Sequence, residues 1–127
     1  MPTVADELQE RVTRFAVRVL KFVRTMPRGP AVDAVARQLA RSGTGVSGNY
    51  HSARHARSRA EFISRLAIVV DESHEAEHWL QVVRESQLMS GPELEWLYGE
   101  SRELRAIFSK SLETARRRKR VERVSRD

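Results

Sequence analysis

The tetrapeptide Ser58-Arg59-Ala60-Glu61 constrains what this chain can fold into more than any other feature. It is a capping box, in which the serine hydroxyl can accept from a free backbone N–H and the glutamate can reach back over the first turn. It stands between two long stretches of helical periodicity and so divides one rod into two. Before it, Val32, Val35, Ala36, Leu39, Val46, Asn49, Tyr50 and Ala53 make an inward stripe from about Pro30 to Arg57. After it, Phe62, Leu66, Val69, Ser73, Ala76, Leu80 and Val83 face one way as far as about Leu88. Ile63, Val70 and Trp79 widen that second stripe beyond the needs of one seam, which implies a further contact.

Two more helices flank this pair. Leu8, Val12, Phe15, Ala16, Val19, Val23 and Met26 recur at three- and four-residue steps from about Val4 to Thr25, with Thr3 as cap and Asp6 in the first turn. Met26-Pro27-Arg28-Gly29-Pro30 breaks the chain, and Pro30 suits a first helical turn. After a second break at Met89-Ser90-Gly91-Pro92, a last helix spans Glu93 to about Arg118, with Leu94, Leu97, Tyr98, Ser101, Leu104, Phe108, Leu112 and Ala115 inward. No useful stretch alternates with period two. Long helices joined by short connections predict an all-α, antiparallel, up-down-up-down four-helix bundle. One segment reads two ways. Ser42-Gly43-Thr44-Gly45-Val46-Ser47-Gly48 carries three glycines, each costing a helix about 1 kcal/mol against alanine. It is either a loop that splits the second helix or a helical stretch where small residues admit another backbone. Apolar periodicity runs across it and favours the helix.

A chain of 127 residues is one domain and can bury a core without staples. With no cysteine, disulfides and thiolate metal sites are excluded. No apolar run nears the roughly 18 residues that span a bilayer, and the N-terminus lacks a signal-peptide core. The expectation is a soluble, cytoplasmic protein with no membrane partner. Charge is distributed unevenly. Residues 116–127 hold seven Arg or Lys against Glu122 and Asp127, so this segment carries +5 of the net +6. The organisation expected is a bundle over 1–115 and a basic tail over 116–127 that continues the last helix. Residues 34–60 contain five Arg and no acid, whereas 71–100 contain eight acids and one Arg, a contrast that suggests pairing between neighbouring helices.

Sites for chemistry are few. Glu75-Ala76-Glu77-His78 matches the Glu-x-x-His step of di-iron bundles, but such sites need a second copy and two more inward glutamates. The first and last helices offer no Glu-x-x-His. His51/His55 and His74/His78 have i,i+4 spacing, yet the first pair lies in an arginine-rich surface region. No nucleophile stands in readable spacing with a base and an orienting acid. The glycines of 43–48 are followed by no Gly-Lys-Ser/Thr and preceded by no strand, so they make no phosphate loop. No catalytic residue, metal or cofactor is therefore assigned. Pairing the helices about Ser58 sets Arg41 opposite roughly Glu75, with Glu72 one turn away, and predicts a partly buried ion pair that fixes register. Asn49 is expected to bond a backbone carbonyl. Arg116-Arg117-Arg118-Lys119-Arg120 reads plainly as a solvated helix end. Its sharper reading is a phosphate-binding tail giving non-specific, salt-sensitive contact with RNA or DNA, with Arg54, Arg57 and Arg59 as a second basic zone.

Three motifs carry a family resemblance. Gln38, Leu39, Arg41, Ser42, Gly45, Val46, Asn49, Tyr50 and Ala53 follow the first. Arg57, Ser58, Arg59, Glu61, Phe62, Ile63, Arg65 and Leu66 follow the second. Glu72, Glu75, Trp79 and Leu80 follow the third. Over these 45 or so residues the chain resembles the small four-helix-bundle proteins encoded in intervening sequences of bacterial 23S ribosomal RNA genes. Ser52 stands where that pattern usually has a glutamate, and Gly45 where it has a serine. The resemblance implies a homopentameric ring of four-helix protomers and no enzymatic activity. A branch similar in shape is the accessory variability determinant of diversity-generating retroelements, a basic ring that binds a reverse transcriptase and nucleic acid. The expected function is a non-enzymatic oligomeric module that binds nucleic acid, or a nucleic-acid enzyme, through its basic surface and tail. The alternative is a purely structural oligomer.

Overall fold

The computed structural model describes residues 1–126, and Asp127, counted above in the basic tail, lies outside them. Four helices, α1 (Val4–Arg24), α2 (Pro30–Arg54), α3 (Arg59–Glu85) and α4 (Pro92–Arg126), make up the fold, with no strand among the described residues.

Local chemistry sets each start. Thr3 Oγ1 accepts from the Asp6 amide at 3.1 Å and Asp6 Oδ2 accepts from the Thr3 amide at 2.9 Å, closing a full capping box on α1. Pro30 opens α2, where its missing N–H costs nothing. Ser58 Oγ accepts from the Glu61 amide at 3.1 Å, but the Glu61 carboxylate accepts from Arg57 rather than from Ser58 itself. That box is thus closed one residue further back than its sequence pattern implies.

The ends depart more from expectation. α2 stops at Arg54, three residues before the expected Arg57, and His55 Nδ1 lies 2.9 Å from the His51 carbonyl that the ending helix leaves without a backbone donor. α3 stops at Glu85 instead of Leu88, because Gln87 adopts φ 60° and the Leu88 amide returns to the Val83 carbonyl at 3.2 Å. α4 runs eight residues past Arg118, to Arg126.

The 42–48 segment is helical throughout. Ser42 Oγ donates to Gln38 O at 2.9 Å, Thr44 Oγ1 to Ala40 O at 2.7 Å, and Asn49 Nδ2 to Gly45 O at 2.8 Å. Gly43 and Gly45 admit neighbouring side chains rather than a neighbouring backbone, whereas Gly48 faces open space. A Cβ on Gly43 would meet Val19 Cγ1 at 2.8 Å, and one on Gly45 would meet the Glu72 carboxylate at 2.5 Å.

Each helix packs closely on two others, α1 on α2 and α4, α3 on α2 and α4, and the diagonal backbones stay apart among the described residues, with only side chains such as Tyr50 and Phe108 meeting across the core. One core fills the space between them. α1 supplies Val12, Phe15, Val19 and Phe22, α2 Leu39, Val46 and Tyr50, α3 Leu66, Val69, Leu80 and Val83, and α4 Leu94, Leu97, Leu104 and Phe108. The surplus apolar surface of α3 is absorbed here, since Ile63, Val70 and Trp79 pack half-buried against this core. Ion pairs cross all four seams, with Arg41 meeting Glu72 and Glu75 between α2 and α3. Arg11 meets Glu100 and Arg18 meets Glu93 between α1 and α4. Arg59 meets Glu122, Glu77 meets Arg105, and Arg84 meets Glu95 between α3 and α4. Arg54 meets Asp6 between α2 and α1. No helix is long and apolar enough to cross a membrane among the described residues.

Candidate functional site

The two basic zones of the sequence lie at one end of the molecule. The C-terminus of α2 and the N-terminus of α3 meet there, and the Arg59 guanidinium reaches Glu122 on α4 at 2.9 Å. Ala115 is the last buried residue of α4, and everything from Arg116 to Ser125 is exposed. The eleven residues 116–126 extend the helix by about 16 Å at 1.5 Å per residue. Within the extension only Glu122 offers a carboxylate, and Arg59 takes it.

The eight candidate cations divide by partner. Arg54 is held by Asp6 at 2.6 Å, Arg59 by Glu122, and Arg117 by Glu113 at 3.2 Å. Arg57, Arg116, Arg118, Lys119 and Arg120 have no carboxylate partner among the described residues. Their charge is uncompensated and turned to solvent, the arrangement that gathers polyanions. Asp6 is strongly committed to its contacts. The Thr3 backbone amide, then the Arg54 guanidinium, hold its carboxyl down at about 2.

Beside these cations, Tyr50, Ala53, Arg54, Ala56, Arg59 and Phe62 line a shallow groove of about 600 Å³. Tyr50 is only 6% exposed and packs against Phe108 with ring centroids 5.0 Å apart and the ring planes tilted by 46°. Burial pushes its hydroxyl pKa up, partly offset by the Arg54 charge.

Arg41, Glu72 and Glu75, expected to pair, meet at the α2–α3 seam, and Asn49 follows on α2. Arg41 Nη2 lies 2.6 Å from Glu75 Oε1 and Nη1 3.3 Å from Glu72. Arg41 is 49% and Glu75 45% exposed, so the cluster occupies the rim of the seam and not its interior. Glu72 alone is well covered, and burial raises its pKa against the opposing pull of Arg41. Asn49, half-buried, bonds within its own helix.

The best-buried ion pair escaped the sequence reading. Glu100 is 7% exposed, and Arg11 grips it through Nε at 2.8 Å and Nη2 at 2.7 Å. Seven residues along each helix the motif repeats: Arg18 grips Glu93 at 2.9 and 2.7 Å, and its guanidinium carbon lies 3.4 Å from the Trp96 ring centroid. Arg18 holds the Glu93 carboxyl below its usual range. The matched seven-residue spacing, Arg11/Arg18 against Glu93/Glu100, was the available signal.

His51, near the end of α2, and His55, just past it, sit exposed with ring centroids 4.6 Å apart, and His78 lies edge-on to Trp79. No three His, Asp or Glu side chains converge in a metal-binding arrangement among the described residues.

Four amphipathic helices around a single core, with a basic helical extension at one end, define an all-α bundle whose distinctive chemistry is on its surface. The chain belongs to the 23S rRNA-intervening sequence protein family, whose profile matches residues 7–110. The basic run from Arg116 to Arg120 falls outside the matched stretch. A solved structure similar to this one is a protein of unknown function from the S23 ribosomal protein family of Bacteroides thetaiotaomicron VPI-5482. It superposes with a TM-score of 0.74 over 86% of this chain and 97% of that one, at 24% sequence identity, which establishes a shared fold. Among curated proteins none matches the chain.

Proposed function

We propose that this protein is a non-enzymatic module that binds the phosphate backbone of RNA or DNA through the basic end of its bundle. The observation that carries the reading is the α4 extension. Arg116, Arg118, Lys119 and Arg120 stand exposed and unpaired among the described residues beside Arg57. A cluster of this kind displaces counterions from a polyanion and binds without reading sequence. The run from Arg116 to Arg120 carries cations alone, with no Asn, Gln, Asp or Glu to read adenine or cytosine edges. A protein that processes nucleic acid is a second partner of the same surface.

The helices of the proposed module run alternately up and down. The order of the ion pairs supports this, because partners on α4 fall in number as those on α1 or α3 rise. Self-association into a ring is part of the proposal and would set several extensions side by side, multiplying weak contacts. Val17, Leu20 and Ile68, large apolar side chains more than 40% exposed, are the surfaces that favour it. They also favour the second reading, a scaffold whose basic residues serve only solubility.

Fluorescence polarisation with a labelled RNA or DNA oligonucleotide, across a salt series, separates the two. The intact chain should bind at low salt. A variant with Arg116, Arg118, Lys119 and Arg120 all changed to Gln should lose at least about tenfold. Equal binding by both proteins, or none by the intact chain, would leave the scaffold reading. Light scattering tests the ring, and a monomer at high concentration would contradict it.

A further inference from the structure

We propose that the groove between the end of α2 and the start of α3 holds one unpaired base of a single strand whose phosphates follow the α4 extension. This inference rests on the backbone-binding reading and adds to it a choice between single-stranded and duplex partners.

Charge is the first argument. Two cations line the groove, and each has its own acid: Arg54 has Asp6 at 2.6 Å and Arg59 has Glu122 at 2.9 Å. The groove is therefore locally balanced and suits a flat uncharged group better than a phosphate. The unpaired cations, Arg57 and those of Arg116 to Arg120, are displaced from it toward solvent, where a strand's phosphates would lie.

Shape is the second. The small side chains of Ala53 and Ala56 leave a slot flanked by the half-buried Phe62 ring. A base can stack on that ring, a contact that tolerates any sequence because every base has a π-face.

The third argument is a hydrogen-bonding group without a partner. The Tyr50 side chain is 94% buried and lines the groove, its hydroxyl near enough to Arg54 and Asp6 to feel both charges. The hydroxyl makes no hydrogen bond within the protein among the described residues and is not sealed from solvent, so it is open to a ligand in the groove. A base edge offers such a hydroxyl both donors and acceptors. A duplex keeps its bases stacked inside the helix and cannot fill the slot without opening, whereas an unpaired nucleotide is free to enter it.

The test compares a labelled twelve-nucleotide single strand with the corresponding duplex, each titrated with the intact protein at one salt concentration. The single strand should bind more tightly. Phe62→Leu, which keeps apolar volume, should weaken single-strand binding about fivefold or more and leave duplex binding unchanged. Tyr50→Phe, which keeps the ring and its packing on Phe108, should weaken it about threefold. Equal affinity for the two probes, or variants that alter both or neither, would overturn the inference. In that event, loss of binding in the four-residue Gln variant would still uphold the backbone-binding reading. Failure of the intact protein to bind either probe would remove both.

Discussion

Val19 leaves room for only a hydrogen at position 43, whereas nothing lies within 4 Å of the Cβ that position 48 could carry. Two glycines five residues apart on α2 should therefore respond oppositely to the same change. Gly48→Ala should stabilise the fold by about 0.5–1 kcal/mol, since it removes chain entropy without a clash. Gly43→Ala should destabilise it by about 1–3 kcal/mol, because Val19 is fully buried and must move. Urea denaturation of each variant measures both. A second residue-scale expectation concerns acid. The folded protein holds Asp6 at about 2 against an ordinary value of 3.8, so its contribution is fully present above pH 4 and is lost as pH falls toward 2. Asp6→Asn should flatten the stability profile in that window while lowering stability at neutral pH. An unchanged acid limb would show that Asp6 is not held by Thr3 and Arg54. At this scale the sequence was a partial guide. It gave Asn49 a carbonyl partner and Arg41 two glutamates to reach for, but not their depth. Depth depends on how far each seam opens, and that is a property of the packed helices and not of spacing along one of them.

Helix starts were legible and helix ends were not, and the chemistry of the two termini explains the difference. Thr3, Pro30 and Ser58 announce their helices because capping hydroxyls and a first-turn proline are residue-specific. The end of α3 depends on Gln87 adopting φ 60°, a conformation for which glycine is the usual residue and glutamine gives no warning. The sequence pointed instead to the Gly-Pro pair four residues on. Gln87→Gly should raise stability by about 0.5–1 kcal/mol by relieving the left-handed strain. A thermal shift downward would show that the Gln87 side chain contributes more than its backbone costs. The persistence of α4 to Arg126 was also hidden, because the apolar period stops at Ala115 while the helix continues on good helix formers, Arg and Lys, and on an Arg59–Glu122 tie to α3. The ladder that joins α1 to α4 could have been read from its seven-residue repeat. It was missed because charged residues are ordinarily assigned to solvent, and only the packed bundle shows that Glu100 is covered.

At the scale of the whole molecule, the apolar pattern decides the fold, one core fills the space between the helices, and the distinctive charge stands on the outside. There the charge is asymmetric. Acids along α3 and early α4 are largely consumed by arginines across the seams, as at Glu72, Glu75, Glu77, Glu93, Glu95 and Glu100. The cations of the α4 extension have no comparable supply of partners. That contrast was visible in the counts along the chain; that α2, α3 and α4 bring both basic zones to one end was not, since it requires the helix order and the lengths of all three. The central claim is that this end binds phosphate backbone by releasing counterions. It is tested most directly by the slope of log binding constant against log salt concentration for the intact chain and the four-residue Gln variant. Each phosphate contact contributes roughly −0.7 to −0.9 to that slope, so the intact chain should show a steep dependence that becomes shallower by about 3 in the variant. An identical slope for the two proteins would contradict the claim.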